Sequence, residues 1–429
     1  MNSSTTGTKN LAARDKEVVW HPFTSLEALP ALPVVRAEGV WLYTEDGRAI
    51  LDAVSSWWVN LFGHANPVIA NAVSRQARQL EHVIFAGFTH EPAVSLAEKI
   101  LQLAGPDFRK VFFSDNGSTA VEVAIKMAIQ YRFNRGEARP GVIALEGAYH
   151  GDTFGAMSTA QRSLFNLPFQ PYLFDVKFTP FPEKGKEERS IDLFERYCRD
   201  GEVGVFIYEP LVQGTAGMRV YSAEALGKML EIARRYEVVC IADEVFTCMG
   251  RTGKDLASHY MNLQPDIVCL SKGITGGFLP LGLTVANNRI VEAFKDADPV
   301  KTFYHGHSYT ANPIACAAAN ASVDLLALPE TREAISRISR RHQEFAAHID
   351  NDNHIARVDC LGTILAIELR ADTPGYHASI RDFLYNYFLE ANILSRPLGN
   401  VIYLVPPYVI TDEELDLVYD RIQSLLRVL

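Results

Sequence analysis

The sequence is poor in tryptophan, with four among 429 residues, and has no apolar run near the ~20 residues that a membrane-crossing helix needs. A membrane partner is therefore not expected. Basic residues do not dominate either. The formal charge is −10, whereas a nucleic-acid binder usually carries a basic face, so no nucleic-acid partner is expected. The six cysteines (Cys198, Cys240, Cys248, Cys269, Cys316, Cys360) are scattered and form no C-x-x-C pair. They read as reduced thiols of a cytoplasmic protein, and no metal-ligand set is assigned. The opening MNSSTTGTKN lacks the apolar core of a signal peptide and reads as a short disordered lead. No internal repeat is found. What remains is a soluble globular composition, 48% hydrophobic and 21% charged, in a chain too long for one ordinary core.

Patterning along the chain supplies the organisation. Residues 34 to 54 read as β, with a turn at Glu45-Asp46-Gly47, and residues 66 to 82 and 91 to 103 carry helical apolar spacing. From residue 110 the order is strand, turn, helix, repeatedly: KVFFS before DNGS, GVIALE before GAYHGDT, VGVFIYE before PLVQGTAGM, VVCIADE before VFTCMGRTG, and DIVCLS before KGITGG. Short apolar runs alternating with helices predict an α/β unit whose mostly parallel sheet is covered on both faces. Functional groups in such sheets gather beyond the C-terminal ends of the strands, where each of these polar clusters sits. The charged, proline-bearing stretch from Phe178 to Arg189 reads as a surface loop. A helix is predicted over 312 to 328, and IARVDCLGTILAIEL reads as a strand. The expected division is an N-terminal segment (1–60) joining a small α+β domain (330–429), around a large domain (61–329).

Two strand ends carry the chemistry. Asp243 closes VVCIAD and Lys272 follows DIVCLS, with the glycine-rich GITGG beyond it. Pyridoxal phosphate needs a lysine to hold its aldehyde as a Schiff base and an acid to keep its ring nitrogen protonated. Burial also lowers a lysine's pKa toward the range of a proton shuttle. Either residue alone is as well explained by a capped turn or a solvated surface cation; the pair in this context is not. Gly117 and Ser118 open the helix TAVEVAIKMAIQYRF, where free amides and the helix dipole favour a phosphate, although an ordinary N-cap would read the same way. CMGRTGKD at 248 to 255 resembles a phosphate-binding loop and fails at both ends. Cys248 replaces the first glycine, and Asp255 replaces the metal-binding hydroxyl.

Together, SDNGSTAVEVAIKMA, GAYHGDTFGAMS, IADEV, GRTG and LSKGITGG resemble the class III, fold-type I pyridoxal-phosphate aminotransferases over nearly the whole chain. The resemblance implies a large domain with a mostly parallel seven-stranded sheet, a smaller α+β domain, pyridoxal 5′-phosphate as cofactor, and a homodimer with shared active sites. It implies that Lys272 carries the Schiff base, Asp243 pairs with the ring nitrogen, and Gly117 and Ser118 hold the phosphate. Ser308 and His307 of HGHSYT would belong to the cofactor site, with Ser308 supplied across the dimer. Tyr149 would lie against the cofactor ring and touch substrate, ordered by Asp152. His150 reads as a turn histidine satisfied by backbone, and Phe62, Phe246 and Met249 as packing. Arg251 is left between a structural and a site role.

Within the family, WHPFT, SSWW, EPLVQGTAGM and RPLGNVIYLVPPY resemble a branch that converts 8-amino-7-oxononanoate to 7,8-diaminononanoate in biotin synthesis. On that likeness Arg396 would receive the far carboxylate, Tyr403 and the Gly306 backbone would line the same pocket, and Phe23 would stand nearby. Trp57 would wall the alkyl chain while Trp58 packs behind it. Thr215 and Ala216 occupy a turn where many ω-aminotransferases carry a switching glutamate, which speaks against a diacid substrate. Phe23 stands where adenosylmethionine-using members typically show tyrosine, and HGHSYT resembles the lysine-using branch. S-adenosylmethionine is the favoured amino donor, with lysine, or another ω-amino acid and ketone pair, as the alternative.

Overall fold

The computed structural model describes residues 10–371 and 380–429, so most of the predicted disordered lead (residues 1–9) lies outside the described residues. At the centre is a seven-stranded sheet. In spatial order its strands are Phe108–Ser114, Gly282–Asn287, Ile267–Leu270, Val239–Asp243, Val203–Tyr208, Gly141–Leu145 and Lys177–Thr179. Gly282–Asn287 alone runs antiparallel to its two neighbours; the other pairs are parallel. The mostly parallel seven-stranded α/β sheet of the sequence reading is the one observed.

The near-continuous apolar runs follow from burial on both faces. Val205, Ile207, Val239 and Ile241 pack beneath the helix Gly117–Asn134, while Phe206, Tyr208, Cys240 and Ala242 point into the larger core on the other side. Side chains alternate along a strand, so Asp243 continues the row of Val239 and Ile241 and ends on the face that carries the N-terminus of that helix. This parity brings a carboxylate and a helix start together.

Three further strands, Ile355–Leu361, Ile364–Leu369 and Val401–Leu404, form an antiparallel sheet against the helices Pro329–Ile349 and Asp412–Leu426. The stretch read as one strand is thus a hairpin, turning at Gly362, whose φ of +59° suits glycine. A third sheet pairs Val34–Glu38, Trp41–Thr44 and Ala49–Asp52, and the last of these lies parallel to Ile393–Leu394 from the far end of the chain. The stretch from Phe178 to Arg189 is not simply a loop. Lys177–Thr179 is the edge strand of the large sheet, and a helix begins at Glu187. Three residues are too short to give an alternation signal, which is why the sequence reading passed over them.

Candidate active site

A cavity of about 650 Å³ opens beyond the C-terminal ends of the parallel strands. The helix Gly117–Asn134 points its first turn into it. Asn116 caps that helix reciprocally: its side chain accepts the Thr119 amide at 3.0 Å, and the Thr119 hydroxyl accepts the Asn116 amide at 3.1 Å. Such a cap is worth about 1 kcal/mol and uses the outer donors. It leaves the amides of Gly117 and Ser118 unclaimed at the lip of the cavity, where the dipole favours an anion. Gly117 is required by space, since a Cβ there would stand 2.7 Å from a Val245 methyl. The Ser118 hydroxyl pairs with Thr153 Oγ1 (2.7 Å) and accepts the Thr153 amide (3.0 Å), tying the helix start to the 149–153 turn.

Asp243 is 5% exposed and forms the cavity floor. Its Oδ2 accepts from His150 Nδ1 at 2.7 Å, and its Oδ1 accepts the Val245 amide at 3.1 Å. The reading of His150 as a turn histidine satisfied by backbone is corrected: its partner is the Asp243 carboxylate. Its Nε2 is buried without a partner, a polar atom facing an enclosed space. The signal was available, because His150 ends a strand-following turn next to Tyr149, as Asp243 ends its own strand.

Lys272 begins a single 3-10 turn after Ile267–Leu270, in the left-handed region at φ +48°. That strained conformation, unusual for a residue with a side chain, projects the amine into the cavity. Nζ lies 4.8 Å from the Trp58 ring centroid and 6.0 Å from that of Phe246. Burial pushes the Lys272 amine below its ordinary pKa, opposed by the attraction of Asp243 and Glu209. The ring facing the amine is therefore Trp58, which both packs and lines the cavity. Phe246, expected only to pack, lines it as well, 4.7 Å from Trp58.

Tyr149 stands in the wall and donates its hydroxyl to Asp152 Oδ2 at 2.9 Å. Burial, helped by the Asp152 charge, holds the phenol well above its ordinary pKa, so it stays protonated. Glu209 shares the same cavity, and burial raises its carboxyl to about 7 against the pull of His150. The sequence reading passed over Glu209, although it ends VGVFIY as Asp243 ends VVCIA.

The outer residues form a separate group. Residues 34 to 54 were read as β, but the strand ends at Asp52. Ser55–Trp58 is a kinked turn with Ser55, Ser56 and Trp58 at positive φ. Asp52, fully buried, holds this turn: it accepts the amides of Val54 (3.1 Å) and Ser56 (2.6 Å) and pairs with His64 Nε2 (2.8 Å). Trp57 is turned outward, 40% exposed, with the Phe23 ring centroid at 5.7 Å and the Arg396 guanidinium 4.4 Å above its face. Among the described residues Arg396 has no acidic partner, so its charge is available beside the Trp57 ring; Phe23, Trp57 and Arg396 are not among the residues that line the cavity. Tyr403 is buried behind Trp58 and accepts its indole N–H at 3.0 Å; it does not line the cavity. Gly306, His307 and Ser308 sit in a loop outside the cavity, with Gly306 and Ser308 exposed. Arg251 is buried and structural: it donates to the Pro406 carbonyl at 2.7 Å and lies against Tyr408. Among the described residues no group of three or more His, Cys, Asp or Glu could hold a metal ion, and no helix is long and apolar enough to cross a membrane.

An unpaired buried amine, an acid with its histidine, and free amides at a helix start fit a cofactor that bears an aldehyde, a ring nitrogen and a phosphate. The chain belongs to the class III aminotransferases, whose family model matches residues 25–426 and whose members depend on pyridoxal phosphate. Within that family it is similar to the adenosylmethionine-8-amino-7-oxononanoate aminotransferase of Synechococcus elongatus, 46% identical over 95% of this chain and 98% of the relative. The enzyme of the same name from Helicobacter pylori is 36% identical over 95% of each chain. A crystal structure of that enzyme from Methanocaldococcus jannaschii superposes with a TM-score of 0.90 at 35% identity, covering 96% of this chain and 98% of the other. A PLP-bound amine transaminase from an uncultivated Pseudomonas species matches with a TM-score of 0.90 at 28% identity, covering 96% and 98%.

Proposed function

We propose that this aminotransferase converts 8-amino-7-oxononanoate to 7,8-diaminononanoate with S-adenosylmethionine as the amino donor, a step of biotin synthesis. The relatives' shared name supports the substrates, and the observation that carries the chemistry is one cavity holding the Lys272 amine, the Asp243–His150 pair and the Gly117–Ser118 amides. When bound, pyridoxal phosphate supplies the aldehyde that takes up the amino group and the protonated ring that draws electrons from the donor's α-carbon. Gly117 and Ser118 receive the phosphate at the helix start. Asp243, oriented by His150, holds a proton at the ring nitrogen. Lys272, its basicity lowered by burial, would take a proton from the donor's α-carbon in the first half-reaction and deliver one to the acceptor's C7 in the second, returning to the same protonation state after each. Trp58 and Phe246 keep water from that amine. Tyr149, fixed by Asp152, packs against the bound ring. Arg396 receives the oxononanoate carboxylate bidentately, with Trp57 and Phe23 walling the chain and Tyr403 supporting them from behind Trp58.

We further propose a cytoplasmic homodimer in which the exposed 306–308 loop reaches the partner's cavity, Ser308 and His307 serving its phosphate and Gly306 its substrate. The exposed Phe154, Leu164, Phe165, Tyr172, Tyr304 and Tyr309 support such an interface. Lysine as donor is the second reading, favoured by the missing hydroxyl at Phe23. Supplying the holoenzyme with adenosylmethionine or with lysine, and following 7,8-diaminononanoate by mass spectrometry, separates the two. Parallel double-reciprocal lines are expected for two half-reactions at one site. Intersecting lines, or no product with either donor, would overturn the reading.

A further inference from the structure

Two turns wall the cavity: 147–153, which carries Tyr149, and 211–218, which carries Thr215. They come from different strand ends, Gly141–Leu145 and Val203–Tyr208, and no regular structure joins their tips. Glu209 bridges them. Its Oε1 accepts the Tyr149 amide at 3.1 Å and its Oε2 accepts the Gly214 amide at 2.9 Å, one carboxylate oxygen for each wall. The second turn needs holding, because Leu211 and Met218, at φ +66° and +53°, bracket it in left-handed conformations that side chains disfavour. It is also tied from outside the cavity, where Arg357 donates to the Gly217 carbonyl at 2.8 Å and the Val220 amide donates to Asp359 at 3.2 Å. Gln213 links it to the Glu146 carbonyl at 3.0 Å. Glu209 is the tie that lines the cavity itself.

We infer that Glu209 is a positioning residue of the transamination site: as a carboxylate with an acceptor for each wall, it sets Tyr149 and the 214–218 turn at a fixed separation. The inference rests on the reading of this cavity as the reaction site. Protonation turns one acceptor oxygen into a donor, so the clamp has two acceptors only in the ionised form. Burial raises the Glu209 carboxyl to about 7; it is thus mostly ionised at pH 8 and mostly protonated at pH 6, and the clamp loosens as pH falls between them. The groups facing it are His150, Asp243, Tyr149 and Lys272 in the cavity, Tyr221, whose hydroxyl donates to the Glu209 carbonyl at 2.6 Å, and Arg219.

Hydrogen–deuterium exchange of the holoenzyme, corrected for intrinsic rates, reads the clamp without substrate. Between pH 8 and pH 6 exchange is expected to rise in both segments, 147–153 and 211–218, and not in the control strand Val203–Tyr208. Glu209→Gln keeps the shape but sets an amide N–H against one wall's N–H. Exchange in the two segments should then rise by about tenfold and lose its pH dependence, the scale of one lost charge-assisted bond. The same variant should lower kcat about tenfold and flatten the acid limb of its pH profile, while pyridoxal phosphate affinity, carried by other residues, stays within about threefold. Glu209→Asp, too short by a methylene to span both walls, should also raise exchange in both segments while keeping its pH dependence. If neither segment or only one responds to pH in the unaltered enzyme, the clamp is wrong, whatever the substrate turns out to be. A normal exchange response with no turnover of the oxononanoate would instead count against the proposed function alone.

Discussion

At the floor of the cavity, Asp243, His150 and Glu209 stand on strand ends or on the turns just beyond them, each tied by hydrogen bonds of 3.1 Å or less. In the outer group, Phe23, Trp57 and Arg396 meet through ring contacts, with Trp57 40% and Phe23 53% exposed. The floor is fixed by the sheet and by these hydrogen bonds. The outer group is a surface of adjustable contacts, where a change of one side chain leaves the chemistry undisturbed. Chemistry shared by a family belongs on the first kind of support, and substrate choice on the second.

That contrast can be broken or sharpened by substitution. Lys272→Ala should reduce turnover by roughly 10²- to 10⁴-fold or more in a single-turnover assay of donor consumption, since the proton carrier is lost. Trp58→Ala should destabilise the holoenzyme by about 3–5 kcal/mol, read by scanning calorimetry, because a buried indole is deleted, whereas Trp57→Ala should stay within about 0.5 kcal/mol. Equal losses for the two would erase the distinction between floor and outer group. Arg396→Ala should raise the oxononanoate KM about 10- to 100-fold with little change in kcat at saturation, as expected for a carboxylate contact made before and during reaction. Phe23→Tyr should be the smallest change, shifting the ratio of kcat/KM for adenosylmethionine over lysine by about 2- to 10-fold toward adenosylmethionine, the range of one neutral hydrogen bond.

The same contrast explains what could be read from the sequence. Asp243, Lys272 and Gly117 announced themselves because each follows an apolar run or opens an amphipathic helix, and local pattern was enough. His150 and Glu209 also follow strands, but their pairing, His150 with Asp243 93 residues away and Glu209 with the Tyr149 amide 60 residues away, is set by the fold, as is the place of Phe246 in the lining. The tryptophan pair shows a different limit. Strand alternation assigned opposite faces to Trp57 and Trp58, but the backbone leaves the strand at Asp52 and enters a kink whose positive φ angles no propensity foretells. The hairpin at Gly362 and the edge strand Lys177–Thr179 were lost because short strands carry little periodicity.

Asp52 lies beneath that kink, out of reach of any substrate, and accepts from three groups of the turn and from His64. Its effect is one of timing. A loop bearing an exposed indole would ordinarily lose its freedom when a ligand arrives, and that ordering would be subtracted from affinity. With the turn locked during folding, the entropy is surrendered once, when the protein is made, and each arriving chain meets a wall already standing.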